Sequence, residues 1–264
     1  IWAKNLAEDG HRVRCWNRTP KKFPGFCAST HEAIEGAEAI FIVVADPPAV
    51  QSVLGSILTQ LGPGQMLIQS STISAKWTLR FAEEVRKAGA IFVEAPFTGS
   101  KPAAEQRQTV FYLGGEAEVV ERARPVLKSL AGAILHIGPL GAASTLKLAM
   151  NLNIAGVAQA LCESLALCRA AGIPDEIYFK ALSRNAAHSG LSDLKEPRLC
   201  QHDYSPQFSL KHMDKDLRLA LETAAEFSLS LGQTMELKKV YDQGMAAGWK
   251  DEDFIGLIRL LRQK

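Results

Sequence analysis

Lys147 is the only base in the run Gly138-Pro139-Leu140-Gly141-Ala142-Ala143-Ser144-Thr145-Leu146-Lys147-Leu148-Ala149-Met150-Asn151, which is otherwise apolar or small. If Gly141 opens a helix, Lys147 and Asn151 stand four residues apart and share one face. An ammonium set among Leu, Ala and Met is desolvated, and its pKa is expected to fall toward the range useful for proton transfer. The competing reading of this segment alone is a half-buried helix from which Lys147 snorkels to water.

Other polar clusters stand where β-rich runs end. Asn17-Arg18-Thr19 follows the run His11 to Asn17. In a nucleotide-binding α/β domain this strand end faces the adenosine ribose, where a carboxylate selects NAD and an arginine accepts a 2′-phosphate. A guanidinium flanked by neutral polar groups therefore favours NADP; the alternative is a plain polar exit closed by Pro20. Ser70-Ser71-Thr72-Ile73-Ser74 ends another run and enters a helix, so its amides and hydroxyls could hold a ribose or a carboxylate. Ser74 is expected to cap that helix, which leaves Thr72 as the ligand candidate. Glu94-Ala95-Pro96-Phe97-Thr98-Gly99-Ser100-Lys101 ends in small residues that expose backbone N–H groups, a composition suited to a substrate carboxylate at Thr98, Gly99 and Ser100. In Phe208-Ser209-Leu210-Lys211-His212-Met213-Asp214-Lys215-Asp216, Lys211 and Lys215 share a helix face, either as a solvated surface or with Lys215 reaching into an interdomain cleft.

The elements that must carry these groups are of two kinds. Residues 39–45, 65–70, 90–95, 110–113 and 134–137 read as strands, with 11–17 preceding them. Helical segments lie between: one begun by Ser29-Thr30, one over Ala75 to Ala88 with Gly89 behind it, one over Glu116 to Leu130. That alternation predicts a mostly parallel, doubly wound sheet of Rossmann type over residues 1–139. From 140 to 264 no strand is expected. A long helix runs to about Ala171, Pro174-Asp175 opens another, Ser209 caps one reaching Leu231, and two more begin at Gln233 and Asp251; residues 197–206 read as loop. Ile1 to Asp9 reads as the body of the domain's first helix, ended by Gly10. The first strand and its glycine-rich turn are accordingly expected just before residue 1.

Composition narrows the class. A formal net charge of +2 in 264 residues, without blocks of like charge, argues against nucleic acid or acidic membranes as partners. Five cysteines, never in a CxxC pair, suit reduced thiols, and the six histidines form no metal-binding pattern, so no metal site is expected. The stretch Leu146 to Ala171 carries Lys147, Asn151, Asn153, Gln159 and Glu163, too many polar groups for a membrane span. The opening residues lack a basic and apolar leader, and a cytoplasmic location is expected.

Four segments together resemble the β-hydroxyacid dehydrogenase family, which includes 3-hydroxyisobutyrate dehydrogenase, tartronate semialdehyde reductase and the glyoxylate/succinic semialdehyde reductases. They are AKNLAEDGHRVRCWNRT, EAPFTGSKPAAEQRQTVFYLGG, GPLGAASTLKLAMN and FSLKHMDKDLRLAL, in order and spread over essentially the whole chain. Ser100, where other branches more often carry glycine, points to the glyoxylate/succinic semialdehyde reductase branch. The resemblance implies that Lys147 is the catalytic lysine and that Asn151 holds substrate beside it. It further implies that Thr98, Gly99 and Ser100 bind the substrate carboxylate and that Phe208 lines the pocket. Thr72 and Lys215 would contact cofactor, with Asn17, Arg18 and Thr19 at the 2′-phosphate. Thr98 stands where the family usually has Ser, Ala143 where it usually has Gly, and the chain is shortened around Lys22 to Phe26. A homodimer or homotetramer is also implied.

The expected activity is NADPH-dependent reduction of small aldehyde acids in a dry cleft, with hydride from the nicotinamide and a proton from Lys147. The alternatives are an NAD(P)-dependent 3-hydroxyisobutyrate-type dehydrogenase and, in another class, a non-catalytic dimeric scaffold. Imine reductases share the architecture but usually lack a lysine at the position of Lys147.

Overall fold

The computed structural model describes residues 1–261 and divides into two compact units, Ile1–Leu148 and the residues from Ala149 onward. In the first unit the chain order is α1 (Trp2–Glu8), α2 (Thr30–Ile34), β1 (Ala39–Ile42), α3 (Pro47–Ile57), β2 (Met66–Gln69), α4 (Ala75–Lys87), β3 (Ile91–Glu94), β4 (Phe97–Thr98), α5 (Lys101–Glu105), β5 (Thr109–Gly114), α6 (Ala117–Lys128) and β6 (Ala131–Gly138). The sheet is mixed. Strands β1, β2 and β3 are parallel neighbours, β5 runs antiparallel to β3 and β4, and β6 lies parallel to β5.

The parallel strands are short apolar runs because helices cover them. Ile68, Val93, Phe111 and Leu113 are buried with Val120, Ala123 and Leu127 of α6. Residues 120, 123 and 127 recur at helical spacing, so one stripe of α6 faces the sheet. Helix α4 does the same with Phe81, Ala82 and Val85, in a second cluster that holds Ile40, Ile42 and Leu67. Ser29 begins α2 as expected, its hydroxyl accepting from the Glu32 amide. Asp46 does the same for α3, a helix not anticipated, whose first turn carries the two prolines.

Two expectations in this unit are corrected. Residues 11–17 are not a strand: Cys15 makes one isolated parallel bridge to Phe26, and β1, the edge of the described sheet, pairs only with β2. Without a neighbour to ladder against, the alternating pattern forms no strand. Ser74 occupies the residue before α4, but its buried side chain makes no capping bond.

The second unit is helical: the 29-residue α7 (Ala142–Ala170), which begins in the first unit, then α8 (Asp175–Leu182), α9 (Gly190–Gln201), α10 (Leu210–Glu226), α11 (Gly232–Ala246) and a 3₁₀ segment, Phe254–Leu261. Gly172, at φ +75°, follows the end of α7 where its sequence predicted a stop. The core joins Leu161, Leu165, Leu217, Tyr241 and Phe254. Helix α9 overturns the loop reading at residues 197–201, whereas 202–206 lie outside any helix or strand, as expected. A Ser189/Ser192 capping box starts it, Ser192, Lys195 and Leu199 are buried on one stripe, and these hold the helix across Pro197 despite the lost backbone bond. Helix α10 stops at Glu226, short of Leu231, and the Ser209 hydroxyl before it makes no capping bond. The helix expected from Asp251 is the 3₁₀ segment beginning at Phe254. Among the described residues no helix is long and apolar enough to cross a membrane.

Candidate active site

In the first unit Thr72 follows the end of β2, Thr98 to Ser100 lie in and just after β4, and Asn17 to Thr19 stand in a segment without a strand. Beyond β2, buried Gln69 clamps the next peptide from both sides: its Oε1 accepts from the Ser71 amide at 2.5 Å and its Nε2 donates to the Ser71 carbonyl at 3.0 Å. The Ser71 hydroxyl accepts from the Val44 amide at 2.8 Å, which ties the exits of β1 and β2 together. Ser70 is buried and its hydroxyl has no hydrogen-bond partner among the described residues, while Val43, just after β1, is 47 % exposed and Thr72 is half-buried. This is the carboxyl edge of the parallel strands, where sheets of this kind meet ligands.

Asn17, Arg18 and Thr19 are exposed, the Asn17 amide donating to the Thr19 carbonyl at 2.6 Å. Among the described residues Arg18 is in no ion pair, whereas Arg14 is committed to Glu35 and to two backbone carbonyls. Thr98 lies in β4 opposite Val110 and is half-buried; Gly99 and Ser100 are exposed. The Ser100 hydroxyl accepts from the Ala103 amide at 3.4 Å and so begins α5.

The start of α7 is held by a residue the sequence reading passed over. Glu94, fully buried at the end of β3, accepts from the Gly141 amide through Oε2 at 2.7 Å and from the Ser144 amide through Oε1 at 2.5 Å. Burial pushes its pKa up, and hydrogen bonds from Ser144, Gly141 and Ala143 oppose that shift. The Ser144 hydroxyl pairs with that of Thr78 at 2.8 Å, a contact between α7 and α4. Lys147, 8 % exposed, follows Ser144 by three residues on the same helix, and Asn151 follows Lys147 by four. The expectation that the lysine is desolvated is met by this burial.

The second unit carries the rest. Asn151 is 3 % exposed and donates through Nδ2 to Asp216 Oδ2 at 2.6 Å. Asp216 Oδ1 lies 2.8 Å from the Nζ of Lys215, so one buried carboxylate holds both residues. Phe208 is half-buried against His212 and Phe254. Its backbone is fixed by Asp253, whose Oδ2 accepts from the Gln207 and Phe208 amides at 2.9 and 3.2 Å and whose Oδ1 meets buried Lys195 at 2.7 Å. Burial is the main influence on the Lys195 pKa and pulls it down.

Glu94, Asp216 and Asp253 are the polar groups the sequence reading missed. The first had a visible signal, a carboxylate closing the apolar strand Ile91-Phe92-Val93. The second stands next to Lys215 in the sequence. For Asp253, distant in sequence from Phe208, no local signal exists.

Comparison with known proteins agrees with this anatomy. Residues 2–138 match the model for the NAD binding domain of 6-phosphogluconate dehydrogenase, and residues 141–261 that for the NAD-binding region of NADP-dependent 3-hydroxyisobutyrate dehydrogenase. The chain is 28 % identical to glyoxylate/succinic semialdehyde reductase 1 of Arabidopsis thaliana, over 98 % of its own length and 93 % of that protein's. It is 30 % identical to an uncharacterised oxidoreductase of Synechocystis, over 99 % and 93 %. The solved 3-hydroxyisobutyrate dehydrogenase of Mycobacterium tuberculosis with L-serine superposes with a TM-score of 0.89 at 26 % identity, covering 99 % of this chain and 94 % of that one. The chain belongs to the β-hydroxyacid dehydrogenase family. It is an oxidoreductase of CH–OH groups in hydroxyacids, with a nicotinamide-dinucleotide-binding domain at residues 2–138.

Proposed function

We propose that the chain is an NADPH-dependent reductase of small aldehyde acids such as glyoxylate and succinic semialdehyde, with Lys147 as proton donor. The observation that carries this reading is the burial of Lys147 on α7, one turn before Asn151 and three residues after the anchored Ser144. The relative named glyoxylate/succinic semialdehyde reductase supports the substrate class.

The residues present fit a nicotinamide dinucleotide. Among the described residues, the carboxyl edge of the parallel strands offers the unpartnered buried hydroxyl of Ser70, and Arg18 is exposed outside any ion pair. Thr72, Asn17, Arg18, Thr19 and Lys215 are assigned to hold the cofactor, with the Arg18 guanidinium on a 2′-phosphate. When bound, the nicotinamide supplies the hydride. Lys147 in its ammonium form hydrogen-bonds the substrate carbonyl oxygen through Nζ and gives up a proton there as negative charge develops. Asn151, its amide already held by Asp216, orients the carbonyl. The backbone amides around Thr98, Gly99 and Ser100 receive the substrate carboxylate, and Phe208 bounds the pocket.

Steady-state kinetics on glyoxylate, succinic semialdehyde and the corresponding amides test this reading. Both acids are expected to be reduced, the longer one with the lower KM, each buried methylene contributing about 0.8 kcal/mol at most. The amides are expected to turn over poorly because the loop donors lose a charged acceptor. Equal efficiency with the uncharged aldehydes overturns the carboxylate loop. A second reading, NAD-dependent oxidation of 3-hydroxyisobutyrate-like acids, is supported by the likeness to the mycobacterial structure, and preference for NADH over NADPH would favour it.

A further inference from the structure

We propose that Glu94 is a positioning residue for Lys147, acting through the first turn of α7; the inference rests on the reading of Lys147 as proton donor. The first four amides of an α-helix have no partner within it, and a helix start away from water needs acceptors from elsewhere. Glu94 supplies them from β3, its two oxygens taking the amides of Gly141 and Ser144, at the end where the helix dipole favours an anion.

The room for this clamp is built. Glu94 lies opposite Gly114, the register pair that joins β3 to β5. A Cβ on Gly114 would stand 2.1 Å from Glu94 Oε2 and 3.2 Å from the Pro139 carbonyl oxygen, so only glycine leaves the carboxylate in place. The buried contact between the Thr78 and Ser144 hydroxyls fixes the same turn from α4. A helix held at residues 141 and 144 cannot slide or rotate about its axis without breaking a buried hydrogen bond. Lys147, three residues further on the same face, takes its position from that constraint. A simple buried acid would need neither two amides three residues apart on one helical turn nor a glycine opposite. The proton-donating atom must lie within hydrogen-bond reach of the carbonyl oxygen, and a displacement of about 1 Å costs on the order of a hundredfold in rate.

The test is a double-variant cycle on the full chain with NADPH and succinic semialdehyde, using Glu94→Gln, Lys147→Ala and the pair. Glu94→Gln keeps the volume but sets an amide donor against one of the two backbone N–H groups. It is expected to lower kcat by about ten- to a hundredfold. Its KM for NADPH should change by less than about twofold, the spread of independent sites. In the Lys147→Ala background the same substitution should cost less than about twofold, because the group it positions is gone. Gly114→Ala, which displaces the carboxylate without altering it, should reproduce the Glu94→Gln kinetics. Should Glu94→Gln fail to quench with NADPH as the folded protein does, the cycle is read with Glu94→Asp, which keeps the charge and shortens the reach. Full additivity of the two losses, or normal kcat in the folded Glu94 variant, overturns the proposal while leaving Lys147 as donor. Near-normal turnover of Lys147→Ala overturns the reading beneath it.

Discussion

The side-chain amide of Asn151 donates to Asp216 Oδ2 at 2.6 Å, both groups buried, and the other oxygen of that carboxylate lies 2.8 Å from Lys215 Nζ. Asp216 thereby couples the residue proposed to orient substrate with one proposed to hold cofactor. Truncating it removes the acceptor of the buried Asn151 amide and the carboxylate beside Lys215.

Asp216→Ala is accordingly expected to destabilise the protein by about 1–3 kcal/mol, the cost of removing the acceptor of the buried Asn151 amide. It should also raise the KM for cofactor together with a fall in kcat. Urea unfolding and steady-state kinetics check this. Unchanged kinetics with lowered stability would leave Asp216 a purely structural group.

Arg18 is exposed and outside any ion pair among the described residues, so its removal should disturb no internal contact. Arg18→Ala is expected to raise the KM for NADPH by an amount worth roughly 1.5–3 kcal/mol, the range for a hydrogen bond to a charged group. NADH use should stay nearly unchanged. Equal losses with both cofactors contradict a 2′-phosphate contact.

Burial raises the Glu94 pKa above that of the unfolded chain, so between those two values the folded protein binds more protons than the unfolded one. The Glu94 contribution to stability is therefore greatest below the unfolded carboxylate pKa, near 4.3. It declines as pH rises through the folded value. Chemical denaturation across pH 4 to 8 should show Glu94→Gln lacking that decline, as a neutral amide must. Parallel pH profiles for the two proteins would mean that Glu94 is not raised.

Among the five cysteines, Cys200 is exposed and Cys162 is buried in the helical core, its thiol pushed up to about 12 by desolvation. Cys162 also donates to the Ile255 carbonyl at 3.7 Å. A chromogenic thiol reagent should modify Cys200 first and reach Cys162 only with denaturant. Equal rates in the native protein would mean that the packing around α7 and the 3₁₀ segment is looser than described.

Much of the anatomy was legible from local pattern. The short apolar runs at β1, β2 and β3 and the helical stripes of α4 and α6 follow from periodicity, and the Gly138–Gly141 region marks the change from strands to helices. What periodicity missed depends on partners distant in sequence. Residues 11–17 alternate like a strand but have one bridge to pair with, and α9 crosses Pro197 because a capping box and a buried stripe outweigh one lost hydrogen bond. Within the candidate site, the four-residue spacing of Lys147 and Asn151 is that of one helix, and both side chains are buried on it. The carboxylates that hold the start of α7 and the Asn151 amide come from β3, 47 and 50 residues before the amides Glu94 receives, and from α10, 65 residues after Asn151. No window on the sequence brings those groups together.

The central claim is that Lys147 supplies the proton. Lys147→Ala in the full chain, assayed with NADPH and succinic semialdehyde, is expected to lower kcat by about two to four orders of magnitude, the contribution of a positioned general acid. NADPH binding followed by fluorescence should change little. Turnover within a few-fold of the unaltered protein, with cofactor binding intact, would contradict the account.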